Sequence, residues 1–247
     1  MIRFRALPLA LFCVATATLQ TACEKRTDPV THEESWHFTG QPDPAKKWKP
    51  VSAITDFKTL FSQNCIACHG SGPTVGGVIA LDNQTFLNLV TADYLKTTIT
   101  NGVKGTRMAA FGKAEGGGLT ADQIDILVNG ILAQRKPLDP SARPLPPFSA
   151  PLGNAVAGGE AFKIFCATCH GVDGTGGRIA GSVVNPAYLG LVSDQYLRTI
   201  VIAGRPDLGM PAPTNMPMTD QQVSDIVAWL VSHRTNEFGQ PLAAPVP

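Results

Sequence analysis

Apolar side chains recur every three or four residues in two stretches of the chain, the spacing of one face of an α-helix. They are Ile124, Leu127, Val128, Ile131 and Leu132 in the first stretch, and Val223, Ile226, Val227 and Leu230 in the second. Each stretch follows a threonine that has a glutamine three residues later, a pattern typical of a capping box at a helix start. The pattern also predicts helices over residues 53–63 and 157–165. No alternation is long enough to predict a strand in these regions.

The two stretches are parts of an internal repeat. Phe61 and Phe162 each stand four residues before a cysteine. Further along, each copy has a tyrosine, a glycine eight residues later and a methionine six residues after the glycine. These residues are Tyr94, Gly102 and Met108 in one copy, and Tyr196, Gly204 and Met210 in the other. Residues 51–136, the first repeat, and residues 154–236, the second repeat, are therefore predicted to be two copies of one helical domain.

The segments outside the repeats differ in character. Residues 137–153 join the repeats and are rich in proline, which favours polyproline II backbone, so they are predicted to form a semi-rigid linker or surface strap. Residues 23–50 are polar and are predicted to be a tether, with a short tail at 237–247.

The first 22 residues are typical of an export signal. Arg3 and Arg5 precede an uncharged stretch that is too short for a membrane span. Ala22-Cys23 at its end resembles a bacterial lipoprotein signal, in which the cysteine carries the lipid. Gln20 departs from that pattern, so ordinary cleavage and an uncleaved anchor stay open as alternatives. The expected location is the periplasmic side of a bacterial envelope, with a lipid anchor at Cys23.

Composition narrows the partners of the chain. The formal net charge is +1, and no concentrated basic face is visible, which excludes a nucleic-acid partner. Aromatic residues make up only 7% of the chain, so the core of each repeat is predicted to be thin unless a bound group fills it.

Candidate chemistry lies in two CxxCH blocks, Cys65–His69 and Cys166–His170. A CxxC pair serves as a redox dithiol, as zinc ligands, or as a haem attachment when histidine follows directly. A redox dithiol needs a βαβ context that the pattern lacks, and structural zinc needs a second ligand pair in each repeat. Two thiols on one helical turn suit addition to the two vinyl groups of a haem, and the next residue, His69 or His170, then faces the iron.

Two methionines stand at matching positions downstream. Met108 lies 39 residues after His69, and Met210 lies 40 residues after His170. These nearly equal separations indicate that both methionines have the same role. In the second repeat Met216 and Met218 compete with Met210. Met218 directly precedes the Thr219 cap, where an apolar residue commonly packs into the core.

With these motifs the chain resembles a tandem of class I cytochrome c domains. The resemblance implies an all-α fold of two helical domains, each wrapped around one covalent haem and joined by the proline-rich linker. It implies two haem c groups, attached at Cys65 and Cys68 and at Cys166 and Cys169, with axial pairs His69/Met108 and His170/Met210. Phe61, Phe162, Tyr94 and Tyr196 are expected to pack in the haem pockets. Trp229 matches an aromatic of the family, whereas Gly130 stands near that place in the first repeat, which predicts a looser crossing of its terminal helices.

The expected function is electron transfer without substrate chemistry. Such a carrier passes single electrons from a quinol-oxidising complex (a quinol:cytochrome c reductase) to a terminal oxidase or another reductase, as a shuttle or as a subunit of a complex. The alternative is a dihaem enzyme such as a cytochrome c peroxidase, which needs an acid or base beside an open iron site. Glu115 follows Met108 by seven residues but lies in a glycine-rich loop, where it is expected to be solvated.

Overall fold

A computed structural model describes residues 23–27, 34–38, 50–71, 74–141, 143–212, 216 and 218–235. The predicted signal segment 1–22 and tail 237–247 lie outside these residues. Within the predicted tether, strands β1 (Cys23–Thr27) and β2 (Glu34–Phe38) pair antiparallel, with Cys23 opposite Phe38. The sequence pattern did not predict this hairpin.

The described residues of the first repeat form five helices. They are α1 (Phe57–Asn64), α2 (Ile66–His69), α3 (Gln84–Leu89), α4 (Ala92–Asn101) and α5 (Ala121–Leu132). Two-residue strands β3 (Gly70–Ser71) and β4 (Thr74–Val75) follow α2, and single 3-10 turns lie at Val51–Ala53 and Lys113–Glu115. The helical prediction is confirmed.

The second repeat has the same order of helices. They are α6 (Ala155–Phe165), α7 (Ala167–His170), α8 (Pro186–Leu189), α9 (Asp194–Ala203) and α10 (Asp220–Ser232), with a 3-10 turn at Pro206–Leu208. Among the described residues, no helix is long and apolar enough to cross a membrane.

Both predicted capping boxes are present. The Thr120 side chain accepts a hydrogen bond from the Gln123 amide, and the Gln123 side chain accepts one from the Thr120 amide. Thr219 and Gln222 exchange the same two bonds at the start of α10. These local bonds satisfy amide groups that have no partner inside the helix, which explains why both last helices begin where the pattern predicts.

Each repeat has its own apolar core. The first is centred on Leu60, Leu87, Leu127 and Ile131, all fully buried. The second is centred on Phe162, Leu189 and Ile226. The apolar stripes of α5 and α10 supply much of each core, as their spacing predicts.

The linker is fastened to the surface of the second repeat. The buried Arg198 guanidinium donates to the carbonyl oxygens of Pro147 (2.8 Å) and Phe148 (3.2 Å) and to the hydroxyl of Ser224 (3.1 Å). The Phe148 ring also meets the Tyr94 ring edge-on, with centroids 4.7 Å apart. The linker therefore contacts both repeats.

Helix α9 joins the two cores. Leu197, Val201 and Ile202 point into the second core, whereas Ile200 and Ala203 pack against the first. The Asn83 side chain, at the start of α3, donates to the carbonyl of Ala203 at 3.4 Å. One helix of the second repeat thus buries apolar side chains on two faces.

Candidate haem-attachment sites

Each CxxCH block forms a single helical turn directly after the first helix of its repeat. Cys65 ends α1 and begins α2, and its carbonyl accepts the amides of Cys68 (3.2 Å) and His69 (2.9 Å). This turn places the two thiols and the imidazole of the first repeat on one short piece of backbone.

The second repeat builds the same turn. The Cys166 carbonyl accepts the amides of Cys169 (3.2 Å) and His170 (3.1 Å). Cys65 packs against the first core and Cys166 against the second. None of these four cysteines is paired in a disulfide.

The first thiol of each pair has a pKa above its ordinary value. Burial raises the pKa of Cys65 to about 11, and the nearby thiol of Cys68 adds to the effect. Burial, with the thiol of Cys169, likewise raises the pKa of Cys166 to about 11. A redox dithiol instead favours the thiolate. In the part of the chain that the structure describes, no three His, Cys, Asp or Glu side chains form a metal-binding group.

Both histidines are hydrogen-bonded through the same ring nitrogen, Nδ1. Nδ1 of His69 lies 2.8 Å from the carbonyl oxygen of Ile79, and Nδ1 of His170 lies 3.0 Å from that of Gly181. A carbonyl only accepts, so the proton must sit on Nδ1, which leaves the lone pair on Nε2. This second contact orients a metal-bound histidine and sets its tautomer.

The environment of His69 also keeps its imidazole neutral. Burial lowers the pKa of His69, the positive charge of Arg205 lowers it further, and the bond to the Ile79 carbonyl opposes both. A neutral imidazole is the form that binds a metal. Two thiols and a neutral imidazole with a free Nε2 fit the covalent attachment of a haem.

The two candidate methionines lie in equivalent loops. The Val103 amide donates to the carbonyl of Met108 (2.8 Å), and at the same place in the second repeat the Arg205 amide donates to that of Met210 (2.9 Å). The preceding glycines have positive φ, 68° at Gly102 and 64° at Gly204, and a Cβ there would collide with the returning strand of the loop. The common register of the two loops is thus present in the backbone as well as in the sequence.

The environments of the four methionines of the repeats differ. Met108 packs against the first core, and Met210 is half-buried in its loop. Met218 is buried in the second core, as predicted for the residue before the Thr219 cap. Met216 accepts a hydrogen bond at its carbonyl from Arg143 (3.0 Å).

The aromatic residues of the repeats pack mainly on other aromatics. Phe162 is buried against Trp229, with ring centroids 4.2 Å apart, and Phe61 lies 5.5 Å from Phe57. Tyr196 packs against the first core although it belongs to the second repeat. Its expected role in the pocket of its own repeat stays a prediction.

Arg205 was not predicted from the sequence as a residue of the site. This residue is 6% exposed, and its guanidinium donates to the carbonyl of Gly76 in the first repeat at 2.8 Å. The sequence did contain one sign of this contact, because the second repeat has a charged residue at the position where the first repeat has Val103.

Both repeats match one family model separately. The model is described as cytochrome c oxidase, cbb3-type, subunit III, and it matches residues 52–129 and 153–230. These two matches cover more than half of the chain.

Two curated relatives are both named Cbb3-type cytochrome c oxidase subunit CcoP. The protein of Azospirillum sp. (strain B510) is 32% identical over 145 residues, which is 52% of this chain and 43% of the relative. That of Cereibacter sphaeroides is 31% identical over 142 residues, 50% of this chain and 41% of the relative. The matched part is thus less than half the length of either relative. A solved chain of the Kuenenia stuttgartiensis reducing HAO-like protein complex is 17% identical with a TM-score of 0.41, covering 76% of this chain and 99% of that one.

Proposed function

Because the chain belongs to the cytochrome c oxidase cbb3-type subunit III family, we propose that it carries single electrons between respiratory complexes of a bacterial envelope. It is a dihaem electron-transfer cytochrome with two covalently bound haem c groups. When bound, each haem supplies an iron that alternates between Fe(III) and Fe(II), taking up one electron and releasing it.

We assign the haem-holding roles to eight residues. The thiols that form thioethers are Cys65 and Cys68 in the first repeat, and Cys166 and Cys169 in the second. The axial ligands are His69 with Met108, and His170 with Met210. A methionine opposite a histidine closes the sixth position and favours electron transfer over ligand binding.

The observation that carries this proposal is the shared orientation of the two histidines. Each donates Nδ1–H to a backbone carbonyl in the loop after its own CxxCH turn, at 2.8 Å in one repeat and 3.0 Å in the other. The chain therefore fixes two imidazoles in the tautomer that presents Nε2 to a metal.

The partners follow from the family and its relatives. A donor of the quinol:cytochrome c reductase type and an acceptor of the terminal oxidase type, or another reductase, fit a one-electron carrier. Both curated relatives are named as subunits of a cbb3-type oxidase, which supports an oxidase as the acceptor and leaves both a shuttle and a fixed subunit possible. We also propose a lipid anchor at Cys23 on the periplasmic side. Mass spectrometry of the native amino terminus tests this anchor, and an unmodified terminus at another residue would reject it.

Haem content and spin state test the function. The chain matured in a host that attaches haem c should give two haems in a pyridine haemochrome assay, and Cys65→Ala with Cys68→Ala should leave one. Both haems should be low-spin, with negligible peroxide turnover. One haem per wild-type chain would reject the dihaem assignment, and a high-spin haem with rapid peroxide turnover would instead support a peroxidase-type enzyme.

A further inference from the structure

Arg205 is a buried cation with partners in both repeats. Its guanidinium donates to the Asp207 carboxylate, at 2.7 Å through Nη2 and 3.0 Å through Nε, and to the carbonyl of Gly76 at 2.8 Å. A charge removed from water is costly unless it is paired and hydrogen-bonded. Here one carboxylate of the second repeat offsets that cost, while Nη2 donates both to that carboxylate and to the first repeat.

Gly76 connects this contact to the first attachment turn. The glycine lies so close to the backbone of Cys68, His69 and Gly70 that a Cβ atom would overlap it. The same loop contains Ile79, whose carbonyl accepts the His69 imidazole. The backbone that Arg205 holds is therefore the backbone that orients His69.

The backbone of Arg205 is part of the loop that contains Met210, the methionine loop of the second repeat. Its amide donates to the carbonyl of Met210 at 2.9 Å, and the Met210 amide donates back at 3.0 Å. In the first repeat the equivalent residue is Val103, which has no charge to offer a neighbour. The link is therefore a property of the second repeat alone.

A neighbouring tyrosine supports the same contact. Tyr196 packs against the first core, and burial raises the pKa of its phenol while the positive charge of Arg205 lowers it.

We propose that Arg205 is a positioning residue that ties the histidine loop of the first haem site to the methionine loop of the second. The two sites would then move as one body, and the haems that they hold would exchange electrons at a fixed separation, with one iron oxidised as the other is reduced. This inference rests on the proposed dihaem function. The positive charge also disfavours Fe(III) at the first site, which raises its reduction potential.

Hydrogen exchange of the holoprotein tests the mechanical part. The reporter is the Val78 amide, which donates to the Cys68 carbonyl at 3.1 Å within the loop that Arg205 holds. In Arg205→Gln this amide should exchange about tenfold faster or more, since a buried bond to a charged donor is lost. The control is Arg135→Gln, an exposed arginine that donates to the Val90 carbonyl, and it should leave the Val78 amide unchanged.

Spectroelectrochemical titration tests the electrostatic part. The first haem is identified as the one that Cys65→Ala with Cys68→Ala removes. The reduction potential of this haem should fall in Arg205→Gln. In Arg205→Lys the potential should stay unchanged, while the Val78 amide should still exchange faster. If Arg205→Gln fails to mature, the Arg205→Lys result decides. A chain with two haems in which neither variant changes the Val78 exchange would overturn the proposal, whereas a wild-type chain without two haems would instead reject the dihaem function.

Discussion

The ring of Phe57 fills the space beside Gly130, where the first and last helices of the first repeat cross. A Cβ atom at Gly130 would overlap this ring. The second repeat has the reverse arrangement at the equivalent positions, with Gly158 on its first helix and Trp229 on its last. A large side chain is thus present once in each crossing, on opposite helices. The crossing is still shorter in the first repeat, since α1 has 8 residues and α6 has 11.

This reversal predicts unequal effects of adding a methyl group. In Gly158→Ala the new Cβ would overlap the backbone carbonyl of Asp225, which cannot move without displacing α10. In Gly130→Ala the overlap is with the Phe57 side chain, which can rotate. We expect a loss in the free energy of unfolding of about 1–3 kcal/mol for Gly158→Ala and a smaller loss for Gly130→Ala.

Denaturant unfolding of the holoprotein measures both losses. Gly118→Ala is the matched control, because its Cβ would meet nothing within 4 Å. Equal losses at Gly130 and Gly158 would contradict the reversed packing.

The contacts of the linker (residues 137–153) predict a second difference between equivalent positions of the two repeats. Arg198 is 3% exposed and holds the linker through the carbonyls of Pro147 and Phe148, whereas Lys96, its counterpart in the first repeat, is exposed and pairs with Asp125 at 2.6 Å. Arg198→Met should release the linker, because a hydrogen bond to a charged group contributes roughly 1.5–3 kcal/mol.

Limited proteolysis within residues 137–153 measures this release. Cleavage should accelerate in Arg198→Met and stay at the wild-type rate in Lys96→Met. An unchanged cleavage rate in Arg198→Met would show that other contacts hold the linker on the second repeat.

Local patterns account for what the sequence predicted well. The capping boxes at Thr120 and Thr219 depend on residues three positions apart, and the core stripes of α5 and α10 depend on helical spacing. The CxxCH turns are equally local. Such features form from neighbouring residues, so a single sequence contains what determines them.

Contacts between the repeats were not predicted, because they join residues that are distant along the chain. Arg205 and Gly76 are 129 positions apart. Comparison of the two copies does contain part of this information, since α9 has Ile200 and Ala203 where α4 has Thr98 and Asn101. Because these positions are apolar in α9 and polar in α4, they indicate a helix face that is covered in the second repeat and faces solvent in the first.

This difference predicts how to separate the repeats. Ile200→Thr with Ala203→Asn gives α9 the residues that α4 has on the same face, and leaves Leu197, Val201 and Ile202 in their own core. The variant should keep both haems while small-angle scattering shows a more extended particle, because Ala203 is fully buried against the first core and asparagine does not fit there. Thr98→Ile with Asn101→Ala is the control and should leave the particle size unchanged. An unchanged size in the α9 variant would contradict the role of this face.

The methionine ligand of the second haem gives the last prediction, because the candidates lie in different backbone settings. Met210 is paired in both directions with Arg205, in the register that Met108 and Val103 have in the first repeat. The carbonyl of Met216 instead accepts bonds from Arg143 (3.0 Å) and the Met218 amide (2.8 Å), a setting with no counterpart in the first repeat. Met210→Ala should therefore keep two haems but abolish the methionine–iron charge-transfer absorption of one and lower its potential.

Met108→Ala should do the same to the other haem, and the double variant should lose both absorptions. Met216→Leu is the matched control, because it removes the competing sulfur from the same loop and keeps an apolar side chain of similar size. It should leave both spectra unchanged. If Met216→Leu alters one spectrum while Met210→Ala alters neither, the common register of the two loops does not extend to the iron, and Met216 is the ligand.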